Sequence, residues 1–564
     1  MLSGIIAIII FNSIFTSNEL IIDYGLHPFD ICHENPLLWN YIKKIYMITF
    51  VFTSLVINNS FYNVLMIFKQ KLNKSKIQSP NNSIINNNGN EIKLLIGYDN
   101  ITKQNVYISE KGLYQNFLIT GTIGTGKTSS AMYPFTRQLM EYNNKNKQNK
   151  IGMLILDVKG NYYKQVKEYA RKYELQDDLI VLELNSKIKY NPLHKPYLKP
   201  QVLANRLKTI LILFSENNSE SFWLDKAEQV LAESIKLCRL YNQGYVTFSE
   251  LHKLITLTDY YKEKIEILRE MFISSKLSYK EIYDLNSSLE FFQNEFSKLD
   301  DRTIAILKSE ISRITSIFIS DYDISRTFCP KKEELTFTGF SELIRKGKIF
   351  VLNINIAKYR NLSKIIAAYL KLDFQTEIMS NLSQNKVRPT AFICDEYAEY
   401  VTKTDSEFFS LSREAKCINI ISTQSYSSIK NTLKEESSVK VIIQNLINKI
   451  WFRTDDIFTI EDAQKQLGKE EKTKISKSIS ENAKETKFNY ITNTLNSKGS
   501  SVSESFNTYT QNDYVYDIND FTQKLETFNA LTFLSDGSKI LKPSKLKMYP
   551  YFMEKEGELY GKSN

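Results

Sequence analysis

Cysteine and histidine are scarce in this 564-residue chain: Cys32, Cys238, Cys329, Cys394 and Cys417 stand far apart, and the histidines are His27, His33, His194 and His252. None of them fall into the close pairs of a zinc ligand set, and no disulfide framework suggests itself. The composition therefore argues against a structural zinc site and suits a reducing compartment. A dominant charge is missing as well. Lys+Arg 73 against Asp+Glu 63 leaves a formal charge of +10, a modest bias toward a polyanion or an anionic surface as neighbour. No internal repeat is found. What remains, 42% hydrophobic and 24% charged residues over this length, describes a mostly globular chain large enough for two or more domains.

The first seventy residues differ from the rest. "IIAIIIFNSIF", residues 5–15, is a short apolar run, whereas "YMITFVFTSLVINNSFYNVLMIF", residues 46–68, has the length of a bilayer crossing despite Asn58 and Asn59 in its middle. A signal peptide followed by a buried helix is the alternative, but the first run lacks a basic leading region and a cleavage site. Lys69, Lys71, Lys74 and Lys76 follow the second run, against Lys43 and Lys44 before it. That asymmetry predicts one or two transmembrane helices in residues 1–76, a multi-pass location in the inner (cytoplasmic) membrane, and the bulk of the chain in the cytoplasm.

Residues 77–90, "IQSPNNSIINNNGN", read as a linker. From residue 117 onward short apolar runs alternate with helix-compatible segments: "IGMLILDVKG", "LIVLEL", "GKIFVLNINI", "PTAFICDEYAEY" and "INIISTQS". Continuous apolar runs of this length are strands buried on both faces, so the pattern predicts an α/β fold with a mostly parallel central sheet. Between about 203 and 325 the strand runs vanish into amphipathic helical patterning rich in Leu, Ile, Glu and Lys. The expected organisation is a nucleotide-binding domain in two parts, 91–202 and 326–564, interrupted by an inserted all-helical domain at 203–325. A polar excursion at 469–512 reads as an exposed arm or a pair of long solvated strands.

"GTIGTGKTSS" has the spacing of a phosphate-binding loop, placed between an apolar strand and a helix-compatible segment. Gly121, Thr122, Gly124, Thr125, Gly126, Lys127, Thr128 and Ser129 are the candidate nucleotide-binding residues. Glycines let backbone N–H groups converge on phosphate oxygens, the lysine adds a mobile charge, and the threonine hydroxyl can ligate Mg2+. The alternative is a Gly/Thr-rich turn. In "RPTAFICDEYAEY" a strand ends in Asp395 and Glu396, the first suited to the metal and its water shell and the second to handling the attacking water. Without the loop, such a pair is commonly a solvated helix start. Gln424, ending the run "INIIST", can hydrogen-bond a γ-phosphate or that water, or be an ordinary polar strand end. Asp157 and Lys159 end another strand and are either functional or a surface ion pair. ATPases that work as oligomers often borrow an arginine from a neighbouring subunit, and Arg413 and Arg453 are the candidates. The catalytic set is therefore Glu396, Lys127, Gln424, Arg413 and Arg453, with Thr128 and Asp395 at the metal and with ATP and Mg2+ as cofactors.

Taken in order, "GTIGTGKTSS", "LILDVKGNYY", "KYNPL" from Lys189, "FWLDKAEQVL" from Phe222, "FICDEYAEY", "STQSYSSI" and "NKIWFRTDD" make the chain resemble the coupling ATPases of conjugative and type IV secretion systems. The resemblance covers about residues 110–550. It implies a membrane-anchored P-loop ATPase, a homo-hexamer, that brings DNA or a relaxase–DNA complex to the proteins of a secretion channel, with the helical insert recognising substrate. By the same resemblance Lys127 and Thr128 are nucleotide-loop residues, Asp395 and Glu396 the metal and water-handling acids, and Gln424 the sensor. Val158 stands where the family usually has proline. A chromosomal DNA translocase of related fold and a nonenzymatic membrane scaffold switched by nucleotide are the rival readings.

Overall fold

The structure, a computed structural model, describes residues 41, 44–45, 47–49 and 51–52, then 91–553 except 158, 214–220, 275–276, 355–358, 383–387, 483–485, 490–493 and 498–500. The chain divides into two units, Met1–Gly89 and Asn90–Asn564. Of the first, the described residues are helical positions between Tyr41 and Phe52 and include Lys44. A bilayer crossing takes roughly 20 apolar residues. Among the described residues no helix is long and apolar enough to cross a membrane. This corrects the expectation of N-terminal transmembrane helices and, with it, that of a multi-pass inner-membrane location. Residues 5–15, most of 46–68 and the linker 77–90 lie outside the described residues.

The second unit is built on strands β1 (Lys93–Asp99), β2 (Gln104–Ser109), β3 (Phe117–Thr120), β4 (Gly152–Leu156), β5 (Leu179–Leu182), β6 (Ile349–Leu352), β7 (Thr390–Cys394), β8 (Cys417–Thr423) and β9 (Asn448–Trp451). Further along lie β10 (Lys469–Asn482), β11 (Thr486–Asn489), β12 (Thr494–Ser497), β13 (Ser501–Tyr514), β14 (Asn529–Phe533) and β15 (Ser544–Lys547). Eleven of these form one sheet in the order β2-β1-β15-β14-β9-β3-β8-β7-β4-β6-β5. From β9 to β5 every neighbour is parallel. On the other side of β9 the sheet continues antiparallel through β14, β15, β1 and β2.

The parallel strands read as unbroken apolar runs because both of their faces are covered. Successive residues of a strand point to opposite sides. Leu118, Leu154 and Phe392 accordingly join one buried cluster, while Phe117, Ile119, Met153, Ile155, Ile393 and Ile420 join another. Parallel registry then brings the strand ends level. Thr120 lies opposite Thr423 and Trp451, and Leu156 opposite Cys394, so everything that follows β3, β4, β7, β8 and β9 emerges at one edge of the sheet.

Between β5 and β6 the described residues contain helices and no strand. They include Pro200–Leu213, Ser221–Tyr241, Phe248–Thr256, Thr258–Ile273, Tyr279–Glu290, Asp301–Thr315 and Tyr322–Phe328. Several starts are written locally. Thr247 accepts from the Glu250 amide, Ser278 and Glu281 cap each other reciprocally, and Asp300 accepts from the Thr303 amide. Apolar residues recur three or four apart, as at Leu307, Ile311 and Ile314, and this stripe is buried. Phe248 stacks on Phe318 at 3.9 Å and meets Tyr369 edge-on at 6.3 Å, which ties the helical segment to the long helix Arg360–Ser380. β10 and β13 pair along their whole length as a separate two-stranded ribbon, with Lys474–Asp513 and Lys477–Glu504 ion pairs across it.

Candidate nucleotide site

At the strand-end edge of the sheet the glycine loop leaves β3 and enters a wide helical turn, Thr128–Met132, which continues into the helix Tyr133–Lys145. The loop is pinned from two neighbouring strands. The Gly121 amide donates to the Gln424 carbonyl at 3.3 Å, and the Thr122 amide to the Arg453 carbonyl at 2.9 Å. Inside it, Thr125 Oγ1 donates to the Thr122 carbonyl at 2.8 Å, and the hydroxyls of Ser129 and Ser130 donate to the Gly126 carbonyl at 3.3 and 2.7 Å. Gly124 and Gly126 take φ of 80° and 98°, backbone that a Cβ disfavours. Lys127 is nearly buried, and its ammonium donates to the carbonyls of Gly121 and Thr122. Burial lowers its pKa, opposed by the charges of Glu396 and Asp395. A phosphate chain would replace those carbonyls as partner of a cation that is already desolvated.

β7 delivers the acids. The Asp395 amide continues the ladder to the Leu156 carbonyl at 3.0 Å, which places the carboxylate beside the loop. Thr128 Oγ1 donates to Asp395 Oδ2 at 2.9 Å, and Ser422 Oγ, from β8, donates to Oδ1 at 2.5 Å. Burial raises the Asp395 pKa, the Ser422 hydrogen bond opposes it, and the charges of Asp157 and Glu396 add to it. Among the described residues no group of three or more His, Cys, Asp or Glu could hold a metal by itself. The donor set nevertheless suits Mg2+, which takes one or two protein oxygens and completes its shell with phosphate and water. Thr128 and Asp395, already in contact and with acidic charge crowded around them, would hold it.

Glu396 is in the left-handed region, φ 53°, a conformation that costs on the order of 1 kcal/mol or more for a residue with a side chain. Its carboxylate accepts from Lys159 Nζ at 2.7 Å and from Gln424 Nε2 at 3.3 Å. Gln424 thus touches the loop through its carbonyl and the acid through its amide. Hydrogen bonding and charge from Glu396 outweigh burial and raise the Lys159 pKa. Asp157 is used differently. Its two oxygens accept from the amides of Lys159, Asn161 and Tyr162 at 2.9 to 3.0 Å, so it shapes the loop that carries Lys159.

The structure therefore gathers Lys127, Thr128, Asp395, Glu396 and Gln424, with the glycine loop, at one edge. The two arginines separate. Arg453 follows β9 at the same edge and holds the loop through its carbonyl, whereas Arg413 precedes β8 and lies exposed at the opposite edge. Sequence reasoning missed Ser422 as the second partner of Asp395. The signal was a hydroxyl two residues before Gln424 near the end of a largely apolar strand.

Residues 102–282 match the family model of the type IV secretion-system coupling protein DNA-binding domain, and residues 389–513 match that of the TraM recognition site of TraD and TraG. The first span carries the phosphate loop and the second carries Asp395, Glu396 and Gln424. Among solved structures the chain is similar to the bacterial conjugative coupling protein TrwBdeltaN70, at 14% identity over 79% of this chain and 87% of that one, with a TM-score of 0.50. Plasmid coupling protein TrwB in complex with ADP and Mg2+ is similar at 14% identity over 78% of this chain and 86% of that one, TM-score 0.51. The same protein in complex with the non-hydrolysable GTP analogue GDPNP gives 13% identity over 78% and 87%, TM-score 0.51. Likeness at these identities shows the shared fold. None of the curated proteins searched matches the chain.

Proposed function

The chain belongs to the TraG/TrwB-like coupling proteins of type IV secretion, and on that premise we propose that it binds ATP with Mg2+ at the edge of its sheet, hydrolyses it, and uses the cycle to recruit and move DNA or a relaxase–DNA complex to a secretion channel. The observation that carries the reading is the convergence of two motifs far apart in sequence. Thr128 of the phosphate loop and Asp395 of the acidic strand end meet at 2.9 Å, with Glu396 next in the chain. A homo-hexamer is the proposed assembly, and the helical segment 203–325 the proposed substrate-recognition domain between the nucleotide-binding parts 91–202 and 326–564.

When bound, Mg2+ supplies neutralisation of the charge on the terminal phosphoryl oxygens. The residues do the rest. Lys127, held at the loop by two carbonyls, transfers its hydrogen bonds to phosphate oxygens. Thr128 and Asp395 position the metal. Glu396 orients a water and accepts its proton at a carboxylate oxygen once Lys159 gives way, and Gln424 holds the other oxygen. Because the Gln424 carbonyl also holds the loop, a change at either Glu396 or the phosphates is felt at both. Arg453 is placed for this chain's own loop. Arg413, on the far edge, is the candidate to reach a neighbouring subunit's site.

The test is ATP hydrolysis by the full chain with and without single- and double-stranded DNA. Lys127→Ala should abolish nucleotide binding. Glu396→Gln should keep binding and lower kcat by about 100-fold or more, the usual worth of a positioned general base. DNA-stimulated turnover lost in both variants supports the motor. Tight ATP binding with no turnover in the presence of DNA and partner proteins would leave a nucleotide-switched scaffold instead.

A further inference from the structure

Two separate pieces of chain bring aromatic residues to the loop's Gly126–Ser129 end. Phe528, the residue before β14, takes a left-handed φ of 65°. Two backbone hydrogen bonds hold it there: its amide donates to the Thr125 carbonyl at 3.2 Å, and its carbonyl accepts from the Met548 amide at 2.7 Å. Its ring lies directly on the loop. A Cβ built on Gly126 would sit 2.5 Å from Phe528 Cδ1 and 2.9 Å from Cε1, so the contact exists only because position 126 has no side chain. Past β15, the Tyr551 amide donates to the Ser129 carbonyl at 2.9 Å. That bond sets Tyr551 edge-on against Tyr133 at 5.2 Å and Phe552 against Phe528 at 5.8 Å. Phe552 keeps 42% of its surface exposed.

A bound nucleotide has a direction at such a loop. The lysine reaches the β- and γ-phosphates, and the metal sits with the threonine hydroxyl, while the backbone cradles the α- and β-phosphates. Lys127 and Asp395 define the terminal-phosphate side here, whereas the Phe528 ring lies against Gly126 and the backbone before Phe552 is hydrogen-bonded to Ser129. A large apolar side chain left half in water is unremarkable alone. Here its partner ring is locked in a strained backbone conformation against the phosphate loop, and the antiparallel strand pair brings both to it from 24 residues apart.

Resting on the nucleotide-binding reading above, we infer that Phe528 and Phe552 form an aromatic platform for the base of the bound nucleoside triphosphate. Stacking needs only the π face of a base.

The test compares two probes on the full chain, a non-hydrolysable ATP analogue and inorganic tripolyphosphate, by isothermal titration calorimetry. Phe552→Ala should weaken the analogue by about 5- to 150-fold, the range for loss of a stacked base, and leave tripolyphosphate unchanged. Phe552→Trp should restore the analogue. Phe528→Leu, which keeps bulk against Gly126, should show the same split. Equal weakening of both probes, or analogue binding unchanged in Phe552→Ala, overturns the platform while the phosphate site stands. A wild-type chain that binds neither probe overturns the nucleotide reading itself.

Discussion

The segment that follows Glu396 is held by a buried ion pair, and that pair can be taken apart quantitatively. Lys371 Nζ, on the helix Arg360–Ser380, donates to both Asp405 oxygens at 2.8 and 2.6 Å, to the Tyr400 carbonyl at 2.7 Å and to Thr402 Oγ1 at 3.0 Å. Asp405 also accepts from Tyr397 Oη at 2.6 Å, Gln375 Nε2 at 3.0 Å and the Thr402 amide at 3.0 Å. Both charged side chains are 0% exposed. Removing one of them strands its partner's charge in the interior, so Asp405→Asn or Lys371→Met should each cost ~3–5 kcal/mol. Replacing both, as Lys371→Met with Asp405→Leu, removes the stranded charge. What remains is the loss of partners for Tyr397, Gln375, the Thr402 amide and the Tyr400 carbonyl, ~1–3 kcal/mol for each that stays unsatisfied. The double variant should therefore lose clearly less than the sum of the two single losses. Urea denaturation of the full chain, followed by the fluorescence of the buried Trp451, measures the cycle. A double variant whose loss equals the sum of the single losses would refute the argument, because it would mean that the two charges do not depend on each other.

Lys449 in β9 is buried with its ammonium 6.0 Å from the Phe533 ring, and burial depresses its pKa to about 8, opposed only in part by Asp462. A depressed lysine contributes stability that is fully present above the unfolded pKa of 10.5 and lost as pH falls through about 8. Stability should thus rise by up to ~3 kcal/mol between those values. Lys449→Met should flatten that rise and raise the melting temperature at pH 7; a melting temperature lowered at pH 7 would show the charge to be paired. At the loop, Gly124→Ala meets nothing within 4 Å and bears only backbone strain, whereas Gly126→Ala adds collision with Phe528. Thermal melts should show ~1–2 kcal/mol lost at 124 and roughly twice that at 126, and equal losses would disprove the ring contact.

Much of the site was legible because it is local. A phosphate loop needs its glycines, lysine and threonine within eight residues, and Asp395, Glu396 and Gln424 each end an apolar run. Strands buried on both faces announce themselves by unbroken apolar composition, and the helical stretch between β5 and β6 by its periodicity and caps. The expected membrane anchor is not met in the structure: among the described residues no helix is long and apolar enough to cross a membrane, and most of the apolar runs lie outside them. Pairings across long sequence separation left no local trace. Lys159 reaches Glu396 across 237 positions, and nothing in "DVKG" names that partner. The sequence could equally offer Arg413 or Arg453 to the site, and only the direction of β8 and β9 puts one on each edge.

By itself, then, the sequence determined the chemistry available: which residues can bind phosphate, ligate a cation or accept a proton, and which segments must be strands or helices. Tertiary structure decided which of them meet. Parallel registry levels the ends of β3, β7 and β8 and brings Thr128, Asp395, Ser422 and Gln424 together. The antiparallel extension through β14 and β15 carries Phe528 and Phe552 to the loop. Strand order is set by burying both faces of one sheet, a sum over the whole chain that no single segment records.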